Sequence, residues 1–181
     1  DSKNRRLTYC NAGHPAPMVL RDGKVIELTG SSLVLGIDPG TATTGYGLVR
    51  ETDQGDMEVV DFGVILTPSG MALEKRLLML HKQLTDILLL HHPDHGAVEK
   101  LFFQRNVTTA LAVGQARGVT LLAMARQGLT IAEYTPMEIK QAVAGYGGAG
   151  KLQIQMMVQA LLGLKSLPKP DDAADALAVA I

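Results

Sequence analysis

Two carboxylates stand at the ends of short apolar runs. Asp38 follows the run 33–37 and precedes a Pro-Gly turn, and Glu99 follows the run 96–98. Runs of this length bounded by turn residues are typical of buried strands. Because an amphipathic helical pattern over 71–90 separates them, the chain predicts a strand–helix–strand crossover that lays the two strands side by side. Asp38 and Glu99 are then expected to face each other at one edge of the sheet.

A second pair of acids, Asp172 and Asp175, falls in a predicted final helix. Their three-residue spacing places them on one helical face, and Asp171 is expected to point elsewhere. Acids in the first turn of a helix also interact favourably with the helix dipole, so capping is an alternative role for either residue. A turn-capping role is the corresponding alternative for Asp38.

These carboxylates make an oxygen-only set of candidate ligands. Such a set, without His or Cys, is the kind that hard cations such as Mg²⁺ or Mn²⁺ select. Two such ions side by side can activate a water and stabilise the leaving oxygen of a phosphodiester. The sequence therefore predicts a divalent-metal site for phosphodiester hydrolysis, with four ligands: Asp38, Glu99, Asp172 and Asp175.

The surrounding pattern predicts an α/β domain built on a mixed sheet. Residues 33–38, 45–49 and 59–66 predict a three-strand meander. The short apolar runs 96–100 and 130–134 add two more strands, which gives a five-stranded sheet flanked by helices.

Two of the predicted helices have distinctive sequences. Residues 135–138, Thr-Pro-Met-Glu, form a capping box with proline at the first helical position, and the helix that they start is predicted to run to about residue 144. The helical pattern over 107–127 has a face of Ala and Gly residues, which permits close approach of another helix within the fold or across a dimer.

Composition limits the class of protein. The chain has 181 residues, of which 46% are hydrophobic, and this length suits one domain with a full core. No run approaches the ~18 apolar residues of a membrane span, and the first residues lack the apolar core of a signal peptide. The single Cys10 cannot form an intrachain disulfide. We expect a cytoplasmic protein without a membrane partner.

A net charge of −1 conceals a basic middle segment. From Lys100 to Lys169 eight basic residues stand against two acidic ones, which leaves a net charge of +6. Such a segment can neutralise phosphates, although an ordinary solvated surface is the alternative. Phe102 stands beside Arg105 in a predicted loop, where an aromatic ring either joins the core or stacks on unpaired bases.

Residues 1–32 have a character of their own. Strands are predicted over 7–10, 18–20 and 25–28, with a hairpin turn at 21–24. They contain the sequence Tyr-Cys-Asn-Ala-Gly-His-Pro-Ala-Pro, followed by Arg-Asp-Gly-Lys and Glu-Leu-Thr-Gly. On these residues the segment resembles part of the bacterial PPM-type serine/threonine phosphatases of the sporulation and stress-regulator class.

The metal-binding aspartates of those phosphatases belong to segments that this sequence lacks. We therefore expect no phosphatase activity from Asn11 or His14, which serve the turn. An isolated hairpin is marginally stable in water, so this one is expected to dock on an edge of the main sheet or on a partner.

Six motifs in order resemble RuvC-type Holliday junction resolvases over about residues 33–181. They are Leu-Gly-Ile-Asp38-Pro-Gly, Thr-Gly-Tyr-Gly47, Val-Glu99 with Phe102, Gly114-Gln-Ala-Arg-Gly-Val, Ile-Lys140-Gln and Asp172-Ala-Ala-Asp175-Ala-Leu-Ala. The resemblance implies a ribonuclease-H-like fold, a homodimer and Mg²⁺-dependent paired nicking of four-way DNA junctions in recombination and repair, with a branch-migration helicase as partner.

The same resemblance implies roles for individual residues. The four carboxylates are the metal ligands, Phe102 opens the junction, and Lys140 and Lys151 act on the phosphate or the transition state. Arg105 and Arg117 belong to the basic segment and are predicted as further DNA contacts.

The sequence also departs from the resolvase pattern at both ends. Some thirty residues precede the first motif, and the last helix of the family continues beyond Ile181. We interpret the chain as a fusion of a hairpin extension, 1–32, with a C-terminally shortened nuclease domain, 33–181. The alternatives are a catalytically impaired or engineered chimera that binds junctions without cleaving them, a fragment of an actin-like or sugar-kinase ATPase, whose second lobe has no room here, and a phosphatase fragment.

Overall fold

The computed structural model describes residues 18–21, 24–27, 32–52, 54–100 and 107–181. The strands and helices within these ranges are β1 (Met18–Arg21), β2 (Lys24–Glu27), β3 (Leu33–Asp38), β4 (Thr43–Glu51), β5 (Met57–Leu66), α1 (Leu73–His91), β6 (His95–Glu99), α2 (Val107–Arg126), β7 (Thr130–Tyr134), α3 (Pro136–Ala144), α4 (Lys151–Leu161) and α5 (Asp171–Ala180).

Five strands form one mixed sheet in the order β5-β4-β3-β6-β7. The meander β3-β4-β5 is antiparallel, and β3, β6 and β7 run parallel. The predicted crossover is confirmed, because β6 pairs directly with β3 after the long helix α1. The architecture is the ribonuclease-H-like α/β fold, with a mixed sheet flanked by helices, as the sequence predicts.

Alternation along β3 divides its side chains between two cores. Leu33, Leu35 and Ile37 pack with the buried side of α1 and α2. Val34 and its antiparallel partner Val49 face the other side, where α3, α4 and α5 form the second core. Because side chains alternate along a strand, the final residue Asp38 faces the second side, toward α5.

Helix α5 lies directly on the sheet because small residues line both surfaces. Five of its buried side chains are alanines, and Leu177 is fully buried among them. A Cβ at Gly36 would collide with the carbonyl oxygen of Ala176, and a Cβ at Gly45 would collide with that of Asp172. The absence of side chains at these two positions therefore allows the start of α5 to approach β4 and its later turns to approach β3.

The hairpin strands β1 and β2 pair with each other in antiparallel register, from Met18 opposite Glu27 to Arg21 opposite Lys24. They form a sheet of their own, and neither of these described strands is hydrogen-bonded to the five-stranded sheet. These described strands therefore do not add to the edge of the main sheet, and docking of the hairpin on a partner stays a prediction. The predicted strand 7–10, Cys10, Asn11 and His14 lie outside the described residues.

In the ranges that the structure describes, no helix has the length and apolar character needed to cross a bilayer.

Candidate active site

Asp38 and Glu99 end two neighbouring parallel strands. The register pairs Ile37 with Val98, so the next residue of each strand is one of the two acids. Val98 packs in the first core with Ile37, which leaves Glu99 facing the same side as Asp38. Their carboxyl groups share a hydrogen bond. The two residues thus lie side by side at one edge of the sheet, as the sequence predicts.

The environment of Asp38 favours the protonated carboxyl group. Burial, the negative charges of Glu99, Asp175 and Asp172, and the hydrogen bond to Glu99 raise the pKa of Asp38 to about 7. Burial also raises the pKa of Glu99, as does the charge of Asp175, although the hydrogen bond with Asp38 and the charge of Lys140 act in the opposite direction. These mutual effects are those of carboxylates that crowd one site.

Asp172 and Asp175 reach this site from the first turns of α5. Burial raises the pKa of Asp175, and the charges of Asp172 and Asp171 add to that effect, against the lowering influence of Lys151. The close contact of α5 with Gly45 places the backbone of Asp172 against the sheet. The four predicted carboxylates therefore lie at one place in the fold.

Lys151, the first residue of α4, contacts this group through an ion pair. Its Nζ lies 3.1 Å from Oδ2 of Asp175 and 3.3 Å from Oδ2 of Asp171. The expectation that Asp171 points away from the others is wrong, because residues four apart also share a helical face. The spacing of Asp171 and Asp175 carried that signal in the sequence.

Lys140 approaches the site from α3. The predicted capping box of this helix is confirmed: Thr135 Oγ1 accepts a hydrogen bond from Glu138 N at 3.2 Å, and Thr135 N donates to Glu138 Oε2 at 2.7 Å. This cap fixes where α3 begins. Lys140 then lies one turn into the helix, close enough for its charge to lower the pKa of Glu99.

Hydrogen bonds from threonines hold the turn that follows Asp38. Thr44 Oγ1 donates to Gly40 O at 2.6 Å and accepts from Gly40 N at 3.3 Å. Thr41 Oγ1 donates to Ala112 O of α2 at 2.6 Å, and its own carbonyl accepts a hydrogen bond from Thr67 Oγ1. These bonds fix the path of the chain immediately after Asp38.

The predicted DNA contacts divide into described and undescribed residues. Arg117 lies on α2, where its guanidinium forms an ion pair with Glu133 of β7, and only 22% of its side chain is exposed. Phe102 and Arg105 lie outside the described residues.

The donor set fits a hard divalent cation. Asp38, Glu99, Asp172 and Asp175 offer carboxylate oxygens alone. Burial, together with the charges of the other three acids, raises the pKa of Asp38. Among the described residues, no three such side chains already converge in the arrangement of a formed metal site. Instead Asp38 shares a hydrogen bond with Glu99, and Asp175 forms an ion pair with Lys151.

Comparison with known proteins places the chain in a family. The family model described as crossover junction endodeoxyribonuclease RuvC matches residues 34–181. The chain belongs to the RuvC family. It is 53% identical over 148 residues to a crossover junction endodeoxyribonuclease of Syntrophomonas wolfei, covering 82% of this chain and 86% of the relative. A relative from Chloroflexus aggregans is 58% identical over 147 residues, with 81% and 89% covered.

Solved RuvC structures agree with this membership. The structure of Thermus thermophilus RuvC has a TM-score of 0.76 and 37% identity to this chain, covering 82% of this chain and 90% of that one. A structure titled T. thermophilus RuvC in complex with Holliday junction substrate has a TM-score of 0.78 and 36% identity, with the same coverage. Membership of an endonuclease family favours the nuclease over the ATPase, phosphatase and non-cleaving alternatives.

A second family model, stage II sporulation protein E, matches residues 1–57. The two matched ranges therefore overlap over residues 34–57, which include β3 from its second residue and all of β4. This match supports the predicted resemblance of the first segment to the sporulation class of proteins.

Proposed function

We propose that this chain is a Mg²⁺-dependent endonuclease that resolves four-way DNA junctions by paired nicks. The observation that carries the proposal is the position of Asp38, whose pKa reaches about 7 because it is buried beside three other carboxylates. Four acidic side chains that act on one another at a partly buried place are suited to a divalent cation. Membership of the RuvC family and the junction-bound Thermus relative support DNA junctions as the substrate.

Four residues would hold the metal: Asp38, Glu99, Asp172 and Asp175. Mg²⁺, or Mn²⁺ in its place, supplies Lewis-acid activation of water and charge stabilisation at the scissile phosphate. The protein contributes two rigid strand ends and the first turns of a helix, which hold the carboxylates without a flexible loop between them and the sheet.

Two lysines supply positive charge next to the carboxylates. The charge of Lys140 on α3 lowers the pKa of Glu99, and Lys151 on α4 forms an ion pair with Asp175. An ammonium at the rim of the site can bind a phosphate oxygen of the substrate and compensate charge that develops on it. We assign both residues to phosphate binding or transition-state stabilisation.

Binding of the junction is assigned to the basic segment. Phe102 is proposed to open the junction by stacking on a base, with Arg105 beside it. Arg117 is proposed as a DNA contact as well, although its ion pair with Glu133 reduces the positive charge that it presents to a phosphate. Substitution of Arg117 is thus expected to weaken junction binding less than substitution of Lys140.

Symmetric nicks on two strands require two identical sites, so the active unit is proposed to be a twofold dimer. The Ala- and Gly-containing face of α2 is the proposed contact. A branch-migration helicase is the proposed partner in the cell. Sedimentation that shows only monomer together with undiminished paired nicking would contradict the dimer.

The function is tested with a synthetic four-way junction labelled on each strand in turn. Mg²⁺ should produce two symmetric nicks, and chelation of the metal should leave the junction bound but intact. A linear duplex of the same sequence is the matched control and should remain uncut. Binding without cleavage at any Mg²⁺ concentration would favour the non-cleaving chimera instead.

A further inference from the structure

Lys151 is held between two carboxylates of which only one belongs to the predicted metal ligands. Asp175 is a proposed ligand, whereas Asp171 was not expected to take part. The distances from Lys151 Nζ to the two Oδ2 atoms are nearly equal, 3.1 Å to Asp175 and 3.3 Å to Asp171. Asp171 thus lies about as close to the ammonium of Lys151 as Asp175 does.

Asp171 is itself fixed from the protein interior. Gln155 lies one turn after Lys151 on α4, is only 8% exposed, and donates a hydrogen bond from Nε2 to Asp171 Oδ1 at 3.0 Å. The other oxygen of the same carboxylate accepts Lys151. Both oxygens therefore have a defined partner.

Asp171 meets the cluster at Asp175 and not at Asp38. It shares Lys151 with Asp175, whereas the charges that act on Asp38 are those of Glu99, Asp175 and Asp172. With 61% of its side chain exposed, Asp171 lies at the outer rim of the site. Nor does it cap its own helix, because the N-cap residue of α5 is Pro170 and the helix has no side-chain capping bond.

We propose that Asp171, fixed by Gln155, is a positioning residue that keeps the ammonium of Lys151 at the edge of the carboxylate cluster during cleavage. This inference rests on the proposed function. The side chain of Lys151 is long and 55% exposed, so a single ion pair would leave it many conformations. A carboxylate that coordinates a cation would also offer less charge to a lysine. If Asp175 binds the metal, Asp171 would be the ion-pair partner that Lys151 keeps.

The first test is a double-mutant cycle on the rate of junction cleavage. Asp171→Asn should reduce the single-turnover rate about ten-fold, the lower end of what loss of a partner that orients a ligand typically costs. Because the residue acts through Lys151, the same substitution in a Lys151→Met background should produce no further loss. Junction affinity in chelator and the melting temperature should change little in Asp171→Asn.

Two further variants make the cycle specific. Gln155→Leu preserves volume but removes the anchor of Asp171, so it should slow cleavage in the same direction while Lys151 remains present. Asp86→Asn, which removes an exposed acid from α1, is the charge-matched control and should cleave at the wild-type rate. Equal losses for Asp171→Asn with and without Lys151, or no loss at all, would overturn the proposal.

A second measurement does not depend on cleavage. In side-chain ¹⁵N NMR spectra of the metal-free protein, an ammonium held by two carboxylates gives an observable signal because its protons exchange slowly with water. The signal of Lys151 should be present in the wild type and in Asp86→Asn, and lost in Asp171→Asn. A signal that persists in Asp171→Asn would overturn the proposal, whereas a wild type that shows the signal but never cuts junctions would contradict the proposed function alone.

Discussion

The position that a Cβ of Gly45 would occupy overlaps the carbonyl oxygen of Asp172. A strand of the sheet and the first turn of a helix are in contact there without any side chain between them. One of the proposed metal ligands thus owes its position to a residue that carries no functional group.

Gly45→Ala should therefore impair catalysis by displacing Asp172. Inserting a methyl group into a packed contact costs about 1–3 kcal/mol of unfolding free energy, and movement of the ligand by about 1 Å should reduce cleavage about 100-fold. Gly70→Ala is the matched control, because a Cβ at Gly70 meets nothing within 4 Å. Denaturant melts and cleavage rates that show Gly45→Ala equal to Gly70→Ala would contradict this account of the helix contact.

The carboxylate cluster should make the metal-free protein less stable as the pH rises. The pKa of Asp38 is about 7 in the folded chain against 3.8 for the ordinary residue, so the folded state binds the proton more tightly than the unfolded state. The resulting stabilisation is complete below about pH 4 and is lost as the pH rises through 7. The raised pKa values of Glu99 and Asp175 act in the same direction.

Asp38→Asn removes this titration. In chelator, the variant should be more stable than the wild type by about 2 to 4 kcal/mol at pH 8 and nearly equal to it at pH 4. Urea melts across this range measure the difference. A stability gap that does not vary with pH would show that Asp38 holds no proton in the folded protein.

Binding of Mg²⁺ should displace protons from the same group. At about pH 6 the Asp38 carboxyl is largely protonated, and a metal ligand must be deprotonated, so binding releases a proton and its affinity increases toward pH 8. Calorimetric titrations in two buffers of different ionisation enthalpy report the number of protons released. Wild-type protein should release about one proton per site, and Asp38→Asn should release fewer; identical heats in both buffers would argue against a protonated site.

Removal of residues 1–30 should leave metal-dependent cleavage intact. The described hairpin strands β1 and β2 form their own sheet, and the four carboxylates all come from the elements β3 to α5. Cleavage of the junction and hydrolysis of a phosphomonoester substrate should be measured before and after deletion. Phosphatase activity that disappears on His14→Ala would contradict this view of the segment.

Much of the site could be predicted from sequence because it depends on local patterns and simple topology. The apolar runs ending in Asp38 and Glu99, joined by one long helix, were sufficient to predict adjacent parallel strands. The capping box at Thr135 and Glu138 likewise depends on residues within one turn.

The rest required knowledge of packing between distant elements. Gln155 and Asp171 are sixteen residues apart, and no periodicity indicates that a buried amide on α4 meets the first residue of α5. The same holds for the ion pair of Arg117 with Glu133, which joins a helix to a strand and could not be read from either segment. The sequence also could not show that β1 and β2 form a separate sheet, because a hairpin sequence alone does not specify whether it pairs with the edge of another sheet.

The central claim is that Asp38 and Glu99 hold the catalytic metal and do not serve merely to fold the protein. The most direct test measures junction cleavage and junction binding in parallel for the wild type, Asp38→Asn and Glu99→Gln, with Asp86→Asn as control. Each amide keeps the shape of the acid but loses the charge that Mg²⁺ needs, so cleavage should fall at least 1,000-fold, roughly the loss seen on removal of a main catalytic group, while binding in chelator stays close to wild type. Wild-type cleavage by either variant, or loss of binding in parallel with cleavage, would contradict the account.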